Sequence, residues 1–97
     1  MNVQPMLATL APKCNPDIHG TAMDGEMVLL NLGSGRYYTL NAVGATVWEG
    51  SREGRTLGDI HHAICARFDV SPDRAEGDLL ALINQLEGEG LLSVERG

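Results

Sequence analysis

The stretch that decides the fold is LLNLGSGRYYTLNAVGATVWEG, residues 29–50. It holds an apolar run, a GSG turn, a second run with the β-favouring residues Tyr37, Tyr38 and Thr39, and then a series of small residues. Asn41 separates the last two parts, and its side-chain oxygen can accept an orphan amide hydrogen of a following helix. The stretch therefore predicts a β-hairpin that leads directly into a helix.

Another strand is predicted immediately upstream, over residues 18–23. The dipeptide DG at positions 24–25 follows it, which is a strong hairpin signal because glycine accepts the positive φ that a two-residue turn needs. The next strand covers residues 26–32, and the aromatic strand covers residues 36–40. We expect the three strands to form an antiparallel meander.

The middle strand of this meander has apolar residues on both sides. Val28, Leu30 and Leu32 share one face, while the opposite face reaches the polar Asn31. Because the first of these faces is wholly apolar, we expect it to pack on the core.

Three helices are predicted after the sheet. The first covers residues 42–49, and Thr56 caps the second, LGDIHHAICARF, whose apolar residues recur at the spacing of one helical stripe. The third begins at SPD, residues 71–73, where a serine cap precedes a proline in the first turn, and it ends at glycines 88 and 90. Three strands followed by three helices predict an α+β fold.

The length of 97 residues is that of one small domain. We assign residues 17–97 to this domain and residues 1–16 to an N-terminal arm. Pro5 and Pro12 oppose a helix in the arm, so we expect it to be extended or loosely docked.

The charge of the chain opposes two classes of partner. The formal net charge is −6 and the pI is about 4.8, and residues 56–90 carry seven acidic side chains against two basic ones. A helix that lies beside phosphates needs the opposite balance, so we expect no nucleic-acid partner and no anionic membrane surface.

The chain has no signal-peptide pattern and no apolar run near the roughly 20 residues that span a bilayer, so we predict a cytoplasmic protein with reduced thiols.

The sequence contains no catalytic constellation. His61 and Cys65 share a helix face, but a structural zinc site usually needs four ligands, and Cys14 and His19 would have to join from a distant segment. We favour Cys65 as a small core residue and Cys14 as an inert thiol. We therefore predict that the chain is not an enzyme and has no catalytic residue, metal site or cofactor.

The aromatic strand is the feature with a functional implication, because it is predicted to lie at the sheet edge. An edge strand offers unpaired N–H and C=O groups to an extended peptide, and a neighbouring apolar cleft would add side-chain selectivity. This is the form of a peptide-binding module. One alternative is that the N-terminal arm covers this edge. Another is that a second copy of the chain covers it, so that the protein is a self-associating structural or regulatory domain that forms a homodimer.

Three segments of the sequence together resemble a known family. They are VLLNLGSGRYYTLNAVGATVWEG, TLGDI and FDVSPDRAEGDLLALINQLEGEGLL, and their order and spacing resemble the pyrroloquinoline quinone biosynthesis protein D (PqqD) family over about residues 17–92. Domains of this family are also called recognition elements of ribosomally made, post-translationally modified peptides. The resemblance implies a winged-helix-like domain that binds the leader segment of a precursor peptide without catalysis.

The resemblance also implies where the leader binds. In the family it adds as a strand beside the third strand and rests in a cleft formed with the third helix. Tyr38 and Leu40 are expected to face inward, with Tyr37 and Thr39 outward. Carried onto this chain, the peptide-binding residues are Arg36, Tyr37, Tyr38, Thr39 and Leu40 on the strand, and Asp78, Leu79, Leu82, Ile83 and Leu86 on the helix.

The partners implied are a precursor leader peptide and a maturation enzyme. Discrete members of the family serve lasso-peptide pathways, with a leader peptidase and a cyclase, or pyrroloquinoline quinone-type pathways, with a radical SAM enzyme. We favour the lasso type. Residues 1–16 lie outside the family pattern.

Overall fold

The computed structural model describes residues 8–95, and it confirms the α+β fold. A three-stranded antiparallel sheet is followed by three helices, and a short strand pair joins the two ends of the described chain. In chain order the elements are β1 (Lys13–Cys14), β2 (Ile18–Met23), β3 (Glu26–Asn31), β4 (Tyr37–Leu40), α1 (Ala42–Arg52), α2 (Leu57–Arg67), α3 (Pro72–Gly88) and β5 (Leu92–Ser93).

The main sheet has the strand order β2-β3-β4, so β3 is central and the other two strands are edges. The β2–β3 hairpin turns at Asp24 and Gly25, which have φ values of 52° and 81°. This is the positive-φ turn that the DG pair predicts. The register places Leu29 opposite Tyr38 and Met27 opposite Leu40.

The predicted helix starts are confirmed by their caps. The side chains of Asn41, Thr56 and Ser71 each accept a hydrogen bond from the amide nitrogen three residues later, at 2.9, 3.1 and 3.2 Å. Each bond satisfies one of the amide groups that a first helical turn leaves unpaired. Because Asn41 directly follows β4, its cap fixes the direction in which α1 leaves the sheet.

The predicted inward face of the middle strand is wrong. Val28, Leu30 and Leu32 were expected in the core, but Leu30 is 38% exposed and Leu32 is 67% exposed. The buried side chains of β3 are Met27 and Leu29, which are 3% and 0% exposed. The core therefore lies on the opposite face of the sheet.

The neighbouring elements explain this choice of face. Trp48 of α1 is 1% exposed, and it packs on the side of the sheet where β2 carries Gly20. A Cβ atom at Gly20 would lie 2.9 Å from the indole Nε1 and 3.3 Å from Leu29 Cδ2. The glycine thus makes room for the indole against Leu29, and this close packing fixes which side chains of β3 are buried.

The described part of the arm is docked on the domain. β1 pairs antiparallel with β5, and the Leu57 N–H of α2 donates a 2.7 Å hydrogen bond to the Leu10 carbonyl. Pro12 is fully buried. The arm is extended at β1, as predicted, and it connects the start of α2 to the segment that follows α3. Residues 1–7, with Pro5, lie outside the described residues.

Candidate functional site

A groove runs between the free edge of β4 and the C-terminal half of α3. Within residues 8–95, β4 pairs only with β3, so its other edge has no strand partner. The groove beside that edge has a volume of about 250 Å³. The residues that line it are Tyr38, Thr39, Leu40, Asn41, Gly44, Leu82, Gln85, Leu86, Glu89 and Leu91.

The β4 side of the groove follows from the alternation of the strand. Leu40 is 8% exposed and Tyr38 is half-buried against the core, whereas Tyr37 is 73% exposed on the opposite face. These exposures agree with the predicted inward Tyr38 and Leu40 and outward Tyr37, whereas Thr39, predicted to face outward, also lines the groove. Gly44 of α1 permits close packing at this end, because a Cβ atom there would lie 2.9 Å from Leu40 Cβ.

The α3 side of the groove is formed by one stripe of the helix. Leu82 is half-buried and Leu86 is 2% exposed, and both line the groove. Leu79 and Ile83 are 0% and 1% exposed, so they belong to the core. These two side chains hold α3 in place and do not line the groove.

Three other predicted residues lie outside the groove. Asp78 is exposed and forms an ion pair with Arg74, with 3.6 Å between the carboxylate and the guanidinium Nε. Arg36 precedes β4, and its carbonyl accepts a 2.8 Å hydrogen bond from the Asn31 N–H that helps to close the turn. Tyr37 lies on the outer face of the sheet. The structure thus brings together five of the ten predicted residues, namely Tyr38, Thr39, Leu40, Leu82 and Leu86.

Sequence reasoning missed five residues of the lining, Asn41, Gly44, Gln85, Leu91 and Glu89. Helical spacing carried a signal for two of them, because Gln85 and Glu89 lie three and seven residues after Leu82. The others depend on how α1 and the segment after α3 pack against β4, for which a single sequence gives no pattern.

The groove has an uneven distribution of charge. Glu89 is the only charged residue among the described residues that line it. Glu89 is also the C-cap of α3, where the helix carries a partial negative charge of about half an elementary charge. This end of the groove is therefore negative, and the remainder is apolar or uncharged.

The alternative sites at histidine and cysteine residues are separate from the groove. The His61 Nε2 atom lies 2.9 Å from the Pro72 carbonyl oxygen and 3.8 Å from the Cys65 Sγ atom. Within residues 8–95, no group of three or more histidine, cysteine or acidic side chains could hold a metal ion. His19 lies on β2, in register with Leu30 of the outer face.

Cys14 is poorly suited to act as a nucleophile. Burial raises the pKa of its thiol to about 11, and the nearby Arg52 guanidinium offsets only part of this effect. Since the thiolate is the reactive form, few Cys14 side chains are reactive at neutral pH.

Comparison with known proteins identifies the family. The family model described as Coenzyme PQQ synthesis protein D (PqqD) matches residues 26–92, which is more than half of the chain. The chain therefore belongs to the PqqD family. No curated protein gives a significant match.

Of the helices in residues 8–95, none combines the length and the apolar character that spanning a membrane requires.

Two solved structures are similar to this chain over most of its length. One is TbiB1 in complex with the TbiA(beta) leader peptide, with a TM-score of 0.78, 34% identity, and coverage of 84% of this chain and 94% of that one. The other is lasso peptide synthetase B1 complexed with the leader peptide, with a TM-score of 0.76, 28% identity, and coverage of 84% and 96%. Both relatives are thus described with a leader peptide bound.

Proposed function

We propose that this protein is a non-catalytic leader-peptide-binding module that captures a ribosomal precursor peptide by strand addition. The observation that carries the proposal is the edge of β4 with which no strand of residues 8–95 pairs, beside a groove lined by α3. The two similar structures support it, because each is described as a complex with a leader peptide. The leader would lie along β4, and its side chains would enter the groove.

Strand addition divides recognition into two parts. The backbone of β4 supplies hydrogen bonds that any extended peptide can make, each worth about 0.5–1.5 kcal/mol net. The groove supplies selectivity, because Leu40, Leu82 and Leu86 present an apolar surface to alternate side chains of the peptide. Affinity for the leader therefore requires both an extended backbone and the correct side chains.

A fluorescence-polarisation titration tests the proposal. The probe is the labelled leader of a short precursor peptide sought in the gene neighbourhood, with the core peptide of the same precursor as the control. We expect saturable binding of the leader and none of the core. Absence of leader binding at high micromolar protein contradicts the proposal.

Two adjacent proline variants test strand addition itself. Successive residues of an edge strand direct their N–H groups to opposite sides, so Tyr38→Pro and Thr39→Pro remove different donors. One variant loses a bond to β3 and becomes less stable, while the other loses a donor on the free edge and binds the leader roughly tenfold more weakly. If both variants remain folded and bind like the wild type, strand addition is wrong.

Leu82→Asp tests the groove without altering the backbone of β4. Leu82 is half-buried in the groove, so a charge there should reduce leader affinity while the core residues Leu79 and Ile83 keep α3 in place. The matched control is Ala81→Asp, one position away at an exposed site of the same helix. Equal affinity in the two variants would exclude a role for the groove.

We further propose that the module presents the bound leader to a processing enzyme. A lasso-peptide leader peptidase with its cyclase is favoured, because both similar structures are leader-peptide complexes and one is described as a lasso peptide synthetase. The alternative is a radical SAM enzyme of a pyrroloquinoline quinone-type pathway. Adding this protein to the leader peptidase that processes the same precursor should accelerate leader cleavage, and the Leu82→Asp variant should not.

A self-associating domain is the second candidate function. Within residues 8–95, the exposed large apolar residues all belong to the outer side of the sheet or its immediate end, and they are Met23, Leu30, Leu32 and Tyr37. A second copy could cover this surface and form a homodimer. Sedimentation equilibrium decides the question, since a dimer with no affinity for the leader would support this candidate over the first.

A further inference from the structure

The peptide groove has one negative end, at Glu89, the only charged residue among the described residues that line it. Glu89 uses its backbone N–H to donate a 3.1 Å hydrogen bond to the Gln85 carbonyl. Its carboxylate makes no hydrogen bond or ion pair within residues 8–95. It thus lines the groove as an available anion.

The helix end at which Glu89 lies strengthens this negative field. The last turns of α1 and α2 contain Arg52 and Arg67, which complement the partial negative charge of a helix C-terminus. The last turn of α3 contains no basic residue, and it also contains Glu87, whose carboxylate accepts a 3.2 Å hydrogen bond from the Val94 N–H. Of the helices α1, α2 and α3, only α3 has no basic residue in its own last turn.

The other cations of the described chain do not reach this end of the groove. Three arginines form ion pairs elsewhere, and none of them lines the groove. Lys13 is opposite Ser93 in the β1–β5 pair, and it does not line the groove either. Within residues 8–95, no lysine or arginine lines the groove, so a cationic side chain of a bound peptide is a suitable partner for Glu89.

We propose that the groove selects peptides that place a lysine or arginine beside Glu89 and an apolar side chain between Tyr38 and Leu82. This inference rests on the proposed function, and it specifies the chemistry of the peptide. Leu82 and Glu89 are about 10 Å apart along the axis of α3, from a rise of about 1.5 Å per residue. An extended peptide advances about 3.3 Å per residue and alternates its side chains, so the cation falls two or four residues from the apolar anchor.

A random library of displayed 12-residue peptides tests the inference, with the wild-type protein as bait and Glu89→Lys as the variant. Asp69→Lys is the matched control, because it changes the net charge equally at an exposed residue outside the groove. We expect the wild type and the control to enrich lysine or arginine two or four residues from an apolar residue. The Glu89→Lys variant should lose this preference and enrich aspartate or glutamate at the same position.

The outcomes separate the inference from the function on which it rests. Wild-type enrichment of apolar peptides with no cation at a fixed position would overturn the inference and leave the proposed function intact. Failure of the wild type to enrich any peptide would overturn both. An identical change of preference in the Asp69→Lys control would show a long-range charge effect and would also overturn the role of Glu89.

A charge-swap measurement on one selected peptide gives the quantitative check. Glu89→Gln should weaken binding of the cationic peptide about two- to fivefold, as expected for a partly exposed ion pair, and 0.5 M salt should remove the difference. A peptide with glutamate in place of the cation should bind Glu89→Lys better than wild type. Equal affinities of the wild type and the Glu89→Lys variant for each of the two peptides would exclude the contact.

Discussion

The two faces of the sheet are built from similar apolar residues, yet one is core and the other is surface. On the inner face, Leu29 is 0% exposed and Met27 is 3% exposed. On the outer face, Leu30 is 38% exposed and Tyr37 is 73% exposed. The difference shows that the apolar character of a strand face does not by itself determine burial, because the packing of neighbouring elements selects one of two possible faces.

The largest expected effect comes from truncating adjacent leucines on the two faces. Leu29→Ala removes a fully buried side chain and should lower the free energy of unfolding by about 2–5 kcal/mol. Leu30→Ala should lower it by less than about 1 kcal/mol, because the wild-type side chain is already partly in water. Urea titration of the two variants measures this contrast, and equal losses would contradict the assignment of faces.

The second expected effect concerns the glycine that admits the indole. Gly20→Ala places a Cβ atom 2.9 Å from Trp48 Nε1 and 3.2 Å from Met27 Sδ, so the core is overpacked. We expect a loss of about 1–3 kcal/mol. Thr21→Ala, the next residue on the outer face, is the control and should stay within about 0.5 kcal/mol. If the alanine at position 20 is tolerated as well as the control, Trp48 does not select the buried face.

The third expected effect compares the two faces of β4 in peptide binding. Tyr38→Ala removes an aromatic wall of the groove and should weaken leader binding at least about fivefold, because buried aromatic contacts dominate interface energies. Tyr37→Ala removes a side chain from the opposite face and should leave the affinity within about twofold. Fluorescence polarisation on both variants measures the difference. A greater loss in Tyr37→Ala would place the peptide on the outer face.

Much of the fold was predictable from local sequence signals for turns and helix caps. The DG turn and the three side-chain caps at Asn41, Thr56 and Ser71 are all present at the predicted residues, because such signals depend on only a few neighbouring positions. The buried face of β3 was predicted wrongly for the converse reason. That face depends on Gly20 and Trp48, which are 28 residues apart in the chain and meet only after folding.

The groove was predictable in position and only partly in composition. Strand alternation and the family resemblance identified Tyr38 and Leu40 on β4. On α3, an apolar stripe is wider than the strip that borders the groove, so Leu79 and Ile83 of the core could not be separated from Leu82 by periodicity alone. The charged member of the lining, Glu89, was missed because it is polar and follows Leu86, the last residue of the apolar stripe.

The smallest expected effect examines whether the outer face is truly free. Leu32 lies just beyond β3, and its side chain is 67% exposed. Its backbone N–H donates a 2.9 Å hydrogen bond to the Asp17 carbonyl, and a change of side chain preserves this bond. Leu32→Ser should therefore change the free energy of unfolding by no more than about 0.5 kcal/mol, at any protein concentration. Urea titrations at low and high protein concentration provide the measurement. A larger loss that grows with concentration would mean that a second copy covers this face, because only an oligomer has a stability that depends on concentration.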